Sequence, residues 1–260
     1  LFAGLFTGLP GAGFSVEARS GDAVATIPEA APYNFEDPQI IDLEGAAAPS
    51  PTLDLMFVID TTGSMLDELV YLQTELADVI DTVRDSADVN IRLSVNFYRD
   101  EGDEYVVLPY PFTTDIDGAI DQLKSQGADG GGDFPEAVEL ALEDAIDGHE
   151  WSASARARLL FLVLDAPPHN EPEILASLHD SVASAARQGI RVIPVASSGV
   201  DKETEFLLRF LDTATGGTYT FLTSHSGIGG DHLEPTIGEY EVELLNNLLI
   251  RLIGEALTTG

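Results

Sequence analysis

"LDLMFVIDTTGSMLDELV", residues 53–70, carries three patterns without a break. A short continuous apolar run ends in Asp60, a hydroxyl-rich loop turns about Gly63, and apolar residues from Met65 and Leu66 through Val83 then recur at helical spacing. This is a strand feeding a helix, with a carboxylate and two usable hydroxyls, Thr62 and Ser64, at the junction.

The pattern repeats outward from there. "NIRLSVNFY" (90–98) alternates, and "EYVVLPYPF" (104–112) follows a polar turn at Asp100 to Asp103, which predicts a hairpin whose second strand lies at a sheet edge, where Pro111 is tolerated. Helical patterns cover roughly 114–126 and 135–147, with Pro135 suited to a first helical turn. "RLLFLVLDA" (158–166) is the most apolar run, "RVIPVAS" and "TYTFLT" are shorter strands between helices, and "EVELLNNLLIRLIGEAL" (241–257) is a last helix. Alternation of this kind predicts an α/β fold: a three-layer, doubly wound, mainly parallel central sheet with one antiparallel edge strand. Right-handed crossovers put ligand sites beyond the carboxyl ends of the strands, and two strands end there in aspartate, Asp60 and Asp165.

At 260 residues with 44% apolar composition the chain can bury one sizeable core, and neither repeats nor contrasting composition divide it. The globular part is expected over 52–258. Residues 19–51, rich in Gly, Pro, Ala and acids, read as a linker or N-terminal arm. Residues 1–18 fit either the remnant of a signal segment or a short packing strand. No apolar run is long enough to cross a membrane as a helix.

A net charge of −33 repels nucleic acid and anionic membranes, so neither is an expected partner. Such a surface suits high salt, and it equally suits an acidic extracellular protein from an Ala-rich coding background; composition leaves both open. Secreted, periplasmic or cell-surface placement is expected, with the cytoplasm left open. The absence of cysteine removes disulfides, thiolate metal sites and thiol nucleophiles.

Asp60, Thr62 and Ser64 offer hard oxygen ligands from one tight loop, suited to Mg²⁺, Mn²⁺ or Ca²⁺. Taken alone, the loop fits a helix cap as well as a metal site.

The loop does not stand alone. "DTTGSM" resembles the metal-ion-dependent adhesion site of von Willebrand factor A domains, and the resemblance runs from about Leu53 to Leu257. "GGGDFPEAVELAL" (130–142) is similar to the second metal-site loop of the integrin β-type, hemicentin-type and alpha-kinase-associated branch, with Glu136 at the ligand position. "LDAPPHN" supplies Asp165, and "FYRDEGDEY" (97–105) resembles the loop after the second core strand of bacterial members.

The resemblance implies that Thr62, Ser64 and Glu136 coordinate a divalent ion directly, while Asp60 and Asp165 hold its waters and orient the hydroxyls. One coordination position stays open for an Asp or Glu of a partner protein. Asp67 and Glu68 match an adjacent metal site, though acids there also suit the helix dipole. Asp100 and Asp133 match a further calcium-type site, though polar turns favour Asp for local reasons.

The expected function is cation-dependent protein binding rather than catalysis. The alternative is a regulatory or assembly subunit of an ATPase or kinase system. A phosphate-ester hydrolase fits less well, because the position that would carry a second carboxylate is Thr62 and both lysines lie outside the strand-end loops. Ser64 lacks the surroundings of a hydrolase nucleophile, and His169, in a polar loop beside proline, reads as solvent-facing. His225, Asp231, His232 and Glu234 lie in a Gly-rich insertion without zinc spacing.

Overall fold

The computed structural model describes residues 14–20, 23–30, 50–222 and 243–259. The chain divides into two units, Leu1–Ser50 and Pro51–Gly260.

In the first unit, β1 (Phe14–Ser20) and β2 (Ala23–Ala30) form an antiparallel ribbon in which Ser20 pairs with Ala23. The stretch from residue 19, read as a linker or N-terminal arm, contains the whole of β2. The leader reading of residues 1–18 lies largely outside the described residues, as does the His225–Glu234 insertion.

The second unit is a six-stranded sheet. Its strands are β3 (Thr52–Asp60), β4 (Asn90–Tyr98), β5 (Val107–Leu108), β6 (Ala157–Leu164), β7 (Ile190–Ala196) and β8 (Thr220–Phe221), in the order β5-β4-β3-β6-β7-β8. All neighbouring strands are parallel except β5, which pairs antiparallel to β4 at the edge. Among the described residues six α-helices connect or cover them: α1 (Leu66–Ser86), α2 (Ile116–Lys124), α3 (Val138–Asp147), α4 (Pro172–Gln188), α5 (Lys202–Thr215) and α6 (Leu245–Thr259).

The apolar run of β3 is continuous because both faces are covered. Leu53, Leu55, Phe57 and Ile59 join one core with residues of α1, α2 and α6, while Met56 and Val58 join the other with residues of α3, α4 and α5. Successive side chains of a strand point to opposite faces, so a central strand in a three-layer fold needs apolar residues at every position. Phe57 stacks on Phe161 of β6 at 5.1 Å between ring centres. Burying each such side chain contributes about 1.5–3 kcal/mol, which fixes the register and holds Asp60 at the end of its strand.

Local signals set several helix ends. Asp115 and Asp201 accept hydrogen bonds from Gly118 N and Thr204 N to cap α2 and α5. α4 begins with Pro172 and ends at Gly189 in the left-handed conformation, one residue before β7. α3 departs from expectation: it starts at Val138, so Pro135 and Glu136 precede it. Glu136 N donates instead to Pro167 O at 2.9 Å, forming a parallel bridge to the loop after β6 that holds this segment extended.

Candidate metal centre

Four connections meet beyond the carboxyl ends of β3, β4 and β6. Asp60 ends β3, fully buried, and its Oδ1 accepts from Thr62 N at 2.8 Å and Thr62 Oγ1 at 2.7 Å. Thr62 Oγ1 lies 3.4 Å from Ser64 Oγ, and Ser64 in turn lies beside Asp165. A 3₁₀ turn, Gly63–Met65, separates this loop from α1, and neither Thr62 nor Met65 gives the turn or the helix a side-chain cap. Asp60 itself accepts from one backbone N–H of this loop, that of Thr62, just ahead of the turn.

The loop over 127–136 is stitched to the first. Gly63 N donates to Gly130 O at 3.2 Å and Asp129 N to Thr61 O at 3.0 Å. Gly131 has φ +72°, and a Cβ there would lie 2.9 Å from Glu136 Oε1 and 3.0 Å from Thr62 Cβ. Only glycine suits this close approach, which brings Glu136 beside Thr62. Gly131 thus forms part of the wall beside Glu136 and Thr62.

Asp60 Oδ2 and Glu136 Oε2 are buried without a hydrogen-bond partner, and the Tyr98 hydroxyl, also unpartnered, lies against Asp60. Burial, with the charge of Asp165 adding to it, pushes the Asp60 carboxyl up to about 7. Burial and the neighbouring charges of Asp60, Asp100, Asp165 and Asp103 push Glu136 up to about 8. Asp165 is raised by burial and, less, by Glu68, against the lowering effect of the nearby Ser64 hydroxyl. None of these carboxylates forms an ion pair with a basic side chain among the described residues.

Removing carboxylates from water without a counter-charge is unfavourable, so the donors present fit a hard cation. Among the described residues no three His, Cys, Asp or Glu side chains converge by themselves into a ligand set. The fit therefore depends on the hydroxyls of Thr62 and Ser64 beside Glu136, with Asp60 and Asp165 behind them.

The residues matched to secondary metal sites differ in burial and partners. Asp67 points to solvent, whereas Glu68 is buried and its Oε1 accepts from Ser198 N at 3.2 Å and Ser198 Oγ at 2.7 Å. Glu68 thereby ties α1 to the loop after β7. Asp100 Oδ1 lies 3.0 Å from His169 Nε2, and Asp133 is exposed. His169, with 26% of its side chain still exposed, therefore also has a protein partner, which its polar loop did not suggest. Its bond to Asp100 raises its pKa, as do the charges of Asp100, Glu171 and Asp133.

Several supporting residues carried no sequence signal of their role. Thr61 Oγ1 reaches Tyr98 O at 3.0 Å and Tyr105 OH at 2.7 Å. Asp103 Oδ2 accepts from Gly131 N at 3.0 Å, and Arg99, stacked on Tyr105, donates to Gly127 O at 2.9 Å. These contacts hold the 127–131 segment against the ends of β3 and β4.

A three-layer sheet with this strand order, closed by these loops at its carboxyl edge, agrees with the comparison to known families. The model described as the von Willebrand factor A domain matches residues 54–228, most of the chain, and the chain belongs to that family. Over 119 residues, 46% of this chain, it is 29% identical to an ariadne-like RING finger protein of Acanthamoeba polyphaga mimivirus. The match covers 11% of that protein's length. Domains of this family bind proteins. Among the described residues no helix is long and apolar enough to cross a membrane.

Proposed function

We propose that the Pro51–Gly260 unit binds one divalent cation, Mg²⁺ or in its place Mn²⁺ or Ca²⁺, and through it engages an Asp or Glu of a partner protein. Thr62, Ser64 and Glu136 hold the ion, and Asp60 and Asp165 orient the hydroxyls and bound water. The observation that carries this reading is the pair of buried, unpartnered carboxylate oxygens, Asp60 Oδ2 and Glu136 Oε2, neither carboxylate being paired with a basic side chain among the described residues. A bound cation supplies the missing charge and leaves an acceptor position for a carboxylate. Asp100, engaged by His169, and Glu68, engaged by Ser198, act as braces and not as ligands of further ions.

The domain is read as a binding module rather than an enzyme, working outside the cell or at its surface. The partial match to a much longer RING finger protein supports modular use, and a role in assembling a larger machine is the second reading. Calorimetric titration of Mg²⁺ and Mn²⁺ into metal-stripped protein at high salt tests the first. One stoichiometric site, lost in Asp60→Ala and in Glu136→Ala, is expected. Weak multi-site uptake indifferent to both substitutions would sink the proposal.

A further inference from the structure

A groove of about 310 Å³ opens at the amino edge of the sheet, where β4 begins. Arg92, the third residue of β4, lines it, with Gly148 and Glu150 from the connection after α3 and Pro109, Pro111 and Phe112 from the segment after β5. Tyr110 faces β4, where its N–H donates to Asn96 Oδ1 at 2.6 Å and its carbonyl accepts from Ser94 Oγ at 2.7 Å, and the prolines on either side of it are exposed. Trp151, the one tryptophan of the chain, packs edge-on against Phe112 at 4.8 Å between ring centres and donates from Nε1 to Ala145 O at 2.9 Å. The groove thus has a surface of rings held firmly from behind.

The charges around it are unbalanced. Arg92 is committed, with Nη1 bonded to both oxygens of Asp54 and Nη2 donating to Glu150 O at 3.0 Å. His149 has its ring nitrogens against the carbonyl oxygens of Asp144, at 3.0 Å, and Tyr110, at 3.2 Å. Two acids are left over. Among the described residues no Lys or Arg pairs with Asp144 or Glu150, and Asp144 Oδ2 has no hydrogen-bond partner. Asp144 Oδ1 lies beside Gly148, where a Cβ would come within 2.8 Å of it, and glycine has no side chain to cover it.

A groove near the lower limit of ligand-pocket volumes holds one or two side chains rather than a cofactor. Ring surface beside unpaired carboxylates suits a guanidinium, which is planar, weakly hydrated and able to fork onto carboxylates while its stem packs on apolar groups. Arg92 shows the same chemistry within the chain, its guanidinium carbon lying 4.9 Å over the Phe112 ring. A net charge of −33 draws a basic partner. Pro109 and Pro111 have no N–H to pair with an added strand, whereas a proline-rich extended segment needs no such bond.

We infer that this groove binds an arginine presented between prolines by an extended segment of a partner protein, with the guanidinium at Asp144 and Glu150. The inference is independent of the metal centre.

Trp151 provides the readout. Its fluorescence is followed while the full chain is titrated with a peptide carrying Pro-Arg-Pro, with the same peptide carrying citrulline in place of arginine, and with free arginine amide. The arginine peptide is expected to shift the emission and to bind at least about tenfold more tightly than either other. Asp144→Asn and Glu150→Gln should each weaken it by at least about threefold and leave the Mg²⁺ titration unchanged. Asp180→Asn, which removes an exposed acid of α4, should have no effect. No change in emission up to millimolar peptide, or equal affinity for the citrulline peptide, overturns the inference. An equal loss in Asp180→Asn reduces binding to attraction by the general charge and overturns it too. Free arginine amide binding as tightly as the peptide would make this a small-molecule site and rule out the protein segment.

Discussion

Asp54 and Asp60 lie on the same strand, β3, face the same layer of helices and are both fully buried, yet the fold treats them differently. Both oxygens of Asp54 accept from Arg92 Nη1 at 3.0 Å, and Ser152 N donates to Oδ2. Asp60 receives only Thr62, on one oxygen, and its ionisable neighbours are acids. At the amino edge the chain supplies the counter-charge that a buried carboxylate requires; at the carboxyl edge it withholds it. A carboxylate buried for structure alone is normally paired, so the contrast within one strand is what separates a structural acid from a candidate ligand.

The most disruptive way to break this contrast is to strip Asp54 of its partner. Arg92→Ala leaves a buried charge uncompensated and is expected to cost about 3 kcal/mol in urea unfolding, because removing one member of a buried pair costs more than the pair contributes. Asp60→Asn should do the reverse. Its carbonyl can still accept from Thr62, and a charge without a partner is gone, so metal-free stability at pH 8 should be unchanged or higher, while the Mg²⁺ site is lost.

The pH dependence of the metal-free protein sharpens the comparison. Asp60 is raised to about 7 and Glu136 to about 8 in the fold, so the folded state holds these protons more firmly than the unfolded chain. The stability this contributes is complete below pH ~4 and is lost as pH rises through ~7 and ~8. Thermal midpoints in high salt should therefore fall over that window, fall less in Asp60→Asn and Glu136→Gln, and be restored most by Mg²⁺ at the alkaline end. A slope identical in all three proteins would mean that these carboxylates are not the source.

Smaller effects test the frame of the site. Gly131→Ala places a methyl against Glu136 and Thr62 at positive φ and should cost upwards of about 1 kcal/mol by urea unfolding, with weakened Mg²⁺ binding. Tyr105→Phe removes the hydroxyl that meets Thr61 and should lower stability by about 1 kcal/mol or less, read from the thermal midpoint.

Residues 53–70 made the architecture legible because a central parallel strand must be apolar at every position and its helix must show a 3.6-residue period. Asp60 and Asp165 were readable as strand-end acids, since topology alone puts such residues at the ligand edge. What could not be read were contacts between loops far apart in sequence. The late start of α3 follows from Glu136 N bonding to Pro167 O, the capture of His169 from Asp100, and the burial of Glu68 from Ser198. No local periodicity encodes these pairings, because each depends on which crossover the sheet sets beside which.

The bridge between Glu136 and Pro168 also orders events in time. During synthesis the first two site loops leave the ribosome well before the segment that must fix Glu136 in place. Until β6 and the loop after it have emerged, Asp60 and Glu136 remain hydrated and cost the nascent chain nothing. The unfavourable step of enclosing unpaired acids is thus deferred until the central sheet that compensates for it can form.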